Sequence, residues 1–232
     1  MAIVALNKDE HRELRIRPMA SFELVEDAHM LPVTAYEIMH IGADCPVVFV
    51  KNEETGQFRL VAVLGLEAGE NLYVRDGKWR AMFVPGVIHH NPFRLIPDPG
   101  EPERVTVGLD TESMQLQEQE GERLFDDSGE ETGFLQSRKK ALAEYLEHEQ
   151  LTEQVVAYLA QQELLAPRDL RVTVNDDEIN VAGMYTVDEE KLAALSNDEF
   201  GELRKRGLLP VIYGHLASLN QVRRLARYRS EA

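Results

Sequence analysis

The chain has 232 residues, 44% of them hydrophobic, and a formal net charge of −16 at pH 7. This length suits one large domain or two small ones, and the apolar share supports a sizeable core. The acidic excess is concentrated in residues 101–200, whereas residues 201–232 are basic. Because so acidic a body repels phosphate groups, the composition argues against binding to nucleic acid and to anionic membrane surfaces.

The cysteine content and the N-terminal sequence both bear on the compartment. Cys45 is the one cysteine, so no intrachain disulfide can form, which is typical of a reducing compartment. It borders an apolar run, and we interpret it as a small buried hydrophobic residue. The first residues lack the apolar core of a signal peptide, and no apolar run approaches the ~20 residues that span a bilayer. We expect a soluble, cytoplasmic protein without membrane insertion, unless a route that needs no N-terminal signal exports it.

Residues 1–110 have the pattern of a β-rich region with antiparallel hairpins. The apolar run at residues 46–50 predicts a central strand. The Asp76-Gly77 pair predicts a tight two-residue hairpin turn, because such turns need positive φ angles. In chain order we predict a short helix at residues 34–42, followed by one hairpin at 46–66 and a second at 72–83. We then predict a single helical turn at 86–90, an extended proline-containing loop at 92–103 and a further strand at 104–110.

Residues 111–232 have a mostly helical pattern. Apolar residues at three- and four-residue steps predict a helix over residues 134–164, with a break near 148–152, where Thr152 resembles a cap, and with Pro167 closing it. Alternating valines then predict a β-hairpin over residues 171–187.

Three shorter segments follow this hairpin. Asp188 is placed to begin one helix, and Ser196 with Glu199 has capping-box spacing for the next. Gly207 marks an end, and Pro210 begins a last helix that runs to residue 229. We expect the arginines of that helix to complement its dipole or to dock on the acidic middle of the chain.

Strands that precede helices indicate an α+β fold rather than a parallel α/β sheet. The domain organisation leaves two arrangements open. A boundary near residues 111–133 would separate a β-rich region, 1–110, from a mostly helical region, 111–232. Alternatively, the hairpin at 171–187 returns to the first sheet and makes a single domain.

Blocks of sequence along nearly the whole chain resemble the SapC family of bacterial proteins. Their order and spacing carry the resemblance more than any one block does. The matching blocks are NKDEHRELRIRP (7–18), CPVVFVKNEETGQF (45–58), VLGLEAGENLYV (63–74), GKWRAMFVPGVIHHNPFRL (77–95), EGERLFDDSGEET (120–132), LLAP (164–167), AGMYTVDEEKLAALSNDEF (182–200) and GLLPVIYGHLASLNQVRRL (207–225).

The family name carries two meanings, a surface-layer-associated protein and a permease subunit of a peptide transporter. The missing membrane span argues against the permease. The resemblance implies an association with outer-membrane TonB-dependent uptake receptors and with proteins like flavin-dependent tryptophan halogenases. It implies no catalytic residues.

The segment from residue 73 to residue 94 concentrates aromatic and arginine side chains around the only tryptophan. Such side chains dominate binding hot spots, and arginine engages carboxylates in a bidentate manner. We therefore predict a ligand- or partner-binding surface here. Its residues are Tyr73, Trp79, Arg80, Phe83, Phe93 and Arg94. The alternative, in which the aromatic rings are core and the arginines pair with the surplus acids, stays open.

The adjacent His89 and His90 are weak candidates for metal ligands. Neighbouring residues point about 100° apart on a helix and to opposite faces of a strand, so they do not readily share one ion. Ser218 follows His215 at helical spacing, and we interpret it as a packing residue. Because no phosphate loop, dinucleotide-binding motif or nucleophile elbow occurs, we expect no cofactor and no catalytic residue.

Together these features favour a soluble, non-enzymatic accessory protein that binds a protein, a peptide or a small ligand, with a link to TonB-dependent uptake. One alternative is a metal-dependent enzyme that uses His89 or His90 on an amino acid or a peptide. Another is a structural component of a surface layer. Homo-oligomerisation is left open.

Overall fold

The computed structural model describes residues 3–98, 100, 104–175 and 177–231. It confirms the α+β class, with 34% of the chain helical, 25% in strands, and most sheets in the N-terminal half. The described residues form two compact units. Unit 1 comprises residues 3–20 and 86–147, and unit 2 comprises residues 21–85 and 148–231. The division into domains at residues 1–110 and 111–232 stays a prediction.

The elements alternate between the two units along the chain. The strands are β1 (Ile3–Ala5), β2 (Arg15–Ile16), β3 (Met30–Pro32), β4 (Val47–Lys51), β5 (Phe58–Val63), β6 (Val74–Arg75), β7 (Lys78–Trp79), β8 (Phe93–Pro97), β9 (Val105–Asp110), β10 (Leu116–Gln117), β11 (Glu122–Arg123), β12 (Leu165–Pro167), β13 (Leu170–Val174), β14 (Asp177–Val181) and β15 (Met184–Val187). The α-helices are α1 (Ile38–Ile41), α2 (Gly86–His89), α3 (Gly133–Gln161), α4 (Glu189–Ala194), α5 (Asn197–Lys205), α6 (Leu209–Ser218) and α7 (Val222–Ser230).

Unit 1 contains two three-stranded antiparallel sheets, in the orders β1-β9-β8 and β10-β2-β11. The first part of α3, up to residue 147, also belongs to this unit. The apolar faces of these elements meet in one core. Its buried members are Ile16, Phe93, Val107, Leu109, Leu124, Phe125, Leu135 and Leu142.

Strand β8 corrects the prediction of an extended loop over residues 92–103. Residues 93–97 pair with all but the last residue of β9. The prolines flank this strand instead of interrupting it: Pro92 follows a cis peptide bond and Pro97 is the final residue. A proline at the end of a strand removes few of the hydrogen bonds between strands. The number of prolines in this segment was therefore a poor reason to predict a loop. Pro99 and Pro102 lie outside the described residues.

Unit 2 is organised by a five-stranded sheet in the order β12-β15-β4-β5-β3. The β4–β5 hairpin confirms the predicted central strand and its partner. Val47, Val48 and Phe49 are fully buried, because both faces of β4 are covered, which explains its unbroken apolar sequence. Helix α6 packs on this sheet through contacts with β4 and β15.

The hairpin predicted over residues 171–187 is shorter than expected. It consists of β13 and β14, and its tip contains Asn175 with a positive φ of 48°. The next residue of the predicted tip, Asp176, lies outside the described residues. The remaining strand, β15, leaves the hairpin and pairs with β4 instead. A strand from the later part of the chain therefore does return to the first predicted sheet.

The long helix α3 runs without the predicted break near residues 148–152. Thr152 does not cap a new helix: its hydroxyl donates to the carbonyl of His148 at 2.6 Å and accepts from the amide of Ala35 at 2.8 Å. The helix also ends earlier than predicted, since Glu163 adopts a positive φ of 53° and Pro167 belongs to β12. Thr152 suggested a helix cap because its hydroxyl can bind a backbone amide, but the amide that it binds is distant in the sequence.

The capping residues of the later helices behave as predicted. Asp188 accepts from two amides of α4, and Ser196 with Glu199 forms a complete capping box on α5. The last predicted helix, however, is divided into α6 and α7 by a 3₁₀ turn at Leu219–Gln221. Among the described residues, no helix combines the length and apolar character that a membrane crossing requires.

Candidate functional site

The sole tryptophan closes a small loop after the β6–β7 hairpin. Asp76 and Gly77 have φ angles of 51° and 69°, so the hairpin has the predicted two-residue turn. The indole Nε1 of Trp79 donates to the carbonyl oxygen of Phe83 at 2.8 Å. The predicted strand 79–83 is therefore wrong beyond Trp79, because the ring ties residues 79–83 into a loop.

Asp44 fixes this loop from beneath. Its carboxylate accepts from the amide of Met82 at 2.8 Å and from that of Phe83 at 3.4 Å, and it forms an ion pair with Arg224 of α7. Asp44 is only 5% exposed, while Arg224 is partly exposed, with 28% of its side chain accessible. The loop backbone is thus held by a buried carboxylate that is neutralised by a partly buried guanidinium.

Tyr73 and Cys45 lie in the core beside this carboxylate. The Tyr73 hydroxyl donates to the carbonyl oxygen of Asp44 at 2.6 Å. Burial raises the pKa of Tyr73 and raises the pKa of Cys45 to about 12, so both stay protonated at neutral pH. Cys45 is fully buried, as predicted. Neither side chain can touch a partner directly, and Tyr73 can only support the surface above it.

Arg80 contacts aromatic and acidic side chains near the C-terminus of the chain. Its guanidinium lies 3.6 Å from the ring centre of Tyr228 and forms an ion pair with Glu231. Tyr228 in turn packs edge-on against Tyr73, with ring centres 5.3 Å apart. The side chain therefore connects the hairpin to helix α7 through stacking and charge.

Exposed apolar side chains lie on the loop and on helix α1, which contacts it through His40. Met82 is 95% exposed and Met39 is 62% exposed. The ring of Phe83 stacks on that of exposed His40, with centres 5.4 Å apart. Met39 packs over Gly214 of α6, where an added Cβ would lie 3.2 Å from the methionine sulfur. We call Met39, His40, Met82 and Phe83 the Met82 surface.

The predicted binding set is divided between the two units. Tyr73, Trp79, Arg80 and Phe83 come together in unit 2, whereas Phe93 and Arg94 belong to unit 1. Phe93 is only 1% exposed and is part of the core of unit 1. Arg94 is half-buried and donates from Nη1 to the carbonyl oxygen of Phe93 at 2.9 Å.

The two adjacent histidines lie in unit 1 and differ in environment. Their rings are 6.0 Å apart and nearly perpendicular, at 78°. His89 is exposed, while His90 is half-buried and packs against Tyr145 of α3 at 4.9 Å. Nδ1 of His90 is buried and has no hydrogen-bond partner among the described residues.

The surroundings of His90 are basic. Burial, and then the charges of His89, Arg138 and Arg94, lower its pKa from 6.5 to about 4. We call His89, His90, Arg94, Arg138 and Tyr145 the His90 cluster. In the part of the chain that the structure describes, no three His, Cys, Asp or Glu side chains are placed to hold a metal ion.

Ser218 and His215 do not form a nucleophilic pair. The Ser218 hydroxyl donates to the carbonyl oxygen of His215 at 2.6 Å and accepts from the amide of Val47 at 2.9 Å. Both side chains are fully buried and bind the backbone of the central sheet. Their role is to join α6 to β4, in agreement with the interpretation of Ser218 as a packing residue.

Sequence reasoning missed Asp44, the residue that orders the Met82 surface. The sequence did contain a signal, because Asp44 lies next to a long apolar run. A charged side chain that is buried with such a run needs a partner, and otherwise it has to lie at the surface. Its partners come from residues 82, 83 and 224, which are distant in the chain, so the sequence could not identify them.

The comparisons with known proteins agree with the resemblance seen in the sequence. No curated protein matches the chain, and no solved structure matches it. The SapC family profile matches residues 6–225. Since this range covers nearly all of the 232 residues, the chain belongs to the SapC family.

Proposed function

We propose that this SapC-family protein is a non-enzymatic accessory protein that binds a protein partner through the Met82 surface. The observation that carries this proposal is the combination of an almost fully exposed methionine with a backbone fixed by a buried carboxylate. An isolated exposed apolar side chain needs no explanation, but Met82 is accompanied by exposed Met39 of α1, whose neighbour His40 stacks on Phe83, and grouped exposed apolar side chains are a feature of interaction sites.

The fixed backbone reduces what binding costs. Ordering a mobile loop on association lowers affinity, and a loop that is already ordered avoids that loss. Met82 and Phe83 are held by Asp44, and the Trp79 indole closes the loop at its other side. Methionine adds adaptability, because its thioether chain conforms to varied partner surfaces.

The charges beside the loop indicate what the partner carries. Arg224 reaches Asp44 under the loop, so helix α7 lies next to it. That helix also carries exposed Arg223 and Arg227. A segment with apolar side chains next to acidic ones would complement this surface, and opposite charges speed association and favour the correct partner.

The residues predicted from the sequence take different parts in this proposal. Phe83 contributes directly, while Tyr73, Trp79 and Arg80 support the loop from inside. The link to TonB-dependent uptake remains a proposal that rests on the family resemblance, and it makes a protein of such a system the first partner to test.

Site-specific photocrosslinking tests the proposal in cells that naturally make the protein. A benzophenone amino acid replaces Met82 in one variant and Leu151 in a control variant. Leu151 is also an exposed apolar residue of unit 2, at 42%. We expect a discrete adduct from position 82 and none from position 151. The captured protein is then purified, and its affinity for wild-type and Met39→Ala protein is measured by calorimetry.

Hot-spot truncations weaken binding by about thirtyfold or more, so we expect a loss of that order for Met39→Ala. Leu151→Ala should bind like wild type. Equal adducts at both positions, or unchanged affinity after Met39→Ala, would show that the Met82 surface is not the contact.

A further inference from the structure

A cavity of about 330 Å³ lies in unit 2 between the end of the β4–β5 hairpin and the C-terminal part of α3. This volume falls within the range of small-molecule sites, which is about 300–1,000 Å³. The hairpin contributes residues 56–59, and the helix contributes Glu153, Ala157 and Ala160. All of these residues lie outside the Met82 surface.

The hairpin wall of the cavity is ordered by its own hydrogen bonds. The side-chain oxygen of Asn52 accepts from the amides of Glu54 and Thr55 at 2.9 and 3.0 Å. The Asn52 carbonyl accepts from the amide of Gly56, and its amide donates to the carbonyl of Gln57, both at 2.8 Å. A small molecule that binds here therefore does not have to order the turn, which would reduce its affinity.

The geometry of the two walls turns a positive and a negative side chain toward the same space. Successive residues of a strand point to opposite faces, and the ring of Phe58 packs edge-on against the tyrosine of β15 at 4.9 Å. Arg59 therefore projects from the other face of the sheet, where it lines the cavity with α3. Glu153, Ala157 and Ala160 share one face of α3, because they are spaced by four and three residues.

The two charged side chains of this cavity do not neutralise each other. Within the part of the chain that the structure describes, neither Arg59 nor Glu153 makes an ion pair or a side-chain hydrogen bond. Both residues are exposed, so solutes can reach them from solvent. A molecule that carries both an ammonium and a carboxylate group complements the two side chains at once, whereas a simple anion or cation leaves one of them unpaired.

We propose that this cavity binds a free α-amino acid with an apolar side chain. The ligand carboxylate pairs with the guanidinium of Arg59, whose planar fork suits two-point binding of a carboxylate. The ligand ammonium pairs with the carboxylate of Glu153. The ligand side chain lies over Ala157 and Ala160, whose short side chains leave room for it. This site does not depend on the partner proposed for the Met82 surface.

Nuclear magnetic resonance of the backbone amides at pH 7 tests the site on the full chain, with L-leucine as the probe. We expect saturable shifts at residues 56–59 and 153–160. N-acetyl-L-leucine lacks the ammonium charge and L-leucinamide lacks the carboxylate. Each should bind at least about tenfold more weakly than L-leucine, as expected for the loss of a charge-assisted bond.

Substitutions separate the two contacts. Arg59→Gln and Glu153→Gln should each weaken binding of L-leucine at least about tenfold. Arg59→Gln should not weaken L-leucinamide further, and Glu153→Gln should not weaken N-acetyl-L-leucine further, because the contact is already missing in each pair. Arg171→Gln removes the same charge from an exposed strand position of unit 2 and should bind L-leucine like wild type.

Three results would contradict the proposal. The first is the absence of saturable shifts with L-leucine at the cavity residues of wild-type protein. The second is equal affinity for L-leucine and for both blocked compounds, which would show that the two charges are not recognised. The third is an equal loss of affinity in Arg59→Gln and Arg171→Gln, which would indicate a general response to net charge.

Discussion

His215 should make unit 2 sensitive to mild acid. The imidazole is fully buried, Nδ1 lies 2.6 Å from the carbonyl oxygen of Val47, and Nε2 accepts from the amide of Val187 at 3.1 Å. This pattern assigns the proton to Nδ1 in the neutral ring. Protonation at Nε2 would break the second bond and place a charge in the core. Burial accordingly lowers the pKa of His215 from 6.5 to about 4.

The sign and size of the effect follow from linkage. The folded state binds the proton less well than the unfolded state does, so the contribution of His215 is complete above pH 6.5. It is lost as the pH falls from 6.5 toward 4. At pH 5 the unfolded chain is mostly protonated at this site while the folded chain is not. The free energy of unfolding should therefore be about 2 kcal/mol lower at pH 5 than at pH 7.

Urea unfolding followed by tryptophan fluorescence measures this difference, since Trp79 belongs to the same unit as His215. The substitution His215→Gln lowers stability at both pH values but removes the titrating group, so its pH dependence should be about 2 kcal/mol smaller than that of wild type. If His215→Gln and wild type lose the same free energy between pH 7 and pH 5, the reasoning is refuted.

Three further predictions concern unit 2 and use the same urea assay at pH 7. Asp44→Asn should cost about 1–3 kcal/mol and increase hydrogen exchange at the amides of Met82 and Phe83, because the buried charge that holds them is lost. Met82→Ala should change stability by less than about 0.5 kcal/mol, because its side chain is 95% exposed. Thr152→Ala should cost about 1–2 kcal/mol by leaving the Ala35 amide unpaired, whereas Thr152→Ser should cost clearly less.

The features that the sequence predicted well depend on local chemistry. The Asp76-Gly77 turn and the starts of α4 and α5 are determined by residues within four positions of each other. A positive φ angle or a capped amide needs no distant partner, so the residue types alone indicate the structure. The α+β class follows from the order of such elements.

The errors have a common physical cause in distant contacts. Strand β8 forms because it pairs with β9. The two prolines at its ends led to the prediction of a loop. Thr152 has the chemistry of a cap, but the amide it binds belongs to residue 35, more than a hundred positions away. The division of α6 from α7 follows no glycine or proline. Each helix instead makes its own polar contact, since Ser218 of α6 binds β4 and Arg224 of α7 binds Asp44.

The candidate sites show the same limit. The sequence located the aromatic and arginine residues of segment 73–94, but it could not tell that Phe93 and Arg94 lie in a different unit from Trp79. It noted both histidines as weak metal candidates. The basic surroundings of His90 depend on Arg138, which is 48 positions later in the chain. Adjacent residues in a sequence can therefore serve different sites.

The basic C-terminal helix shows how the uneven charge of the chain is used. We expected its arginines to complement the helix dipole or to dock on the acidic middle of the chain. Arg227 and Arg229 lie in the last turn of α7, where they complement the dipole as expected. The ion pairs with earlier parts of the chain reach acids that precede the acidic middle: Arg224 pairs with Asp44, and Arg229 pairs with Glu67 at 3.1 Å and with Glu70. Exposed ion pairs contribute little to stability, but the pair at Asp44 is largely buried and directly supports the loop that carries Met82. The local excess of positive charge thus has a structural role, because it helps to hold the backbone of Met82, whose side chain is 95% exposed.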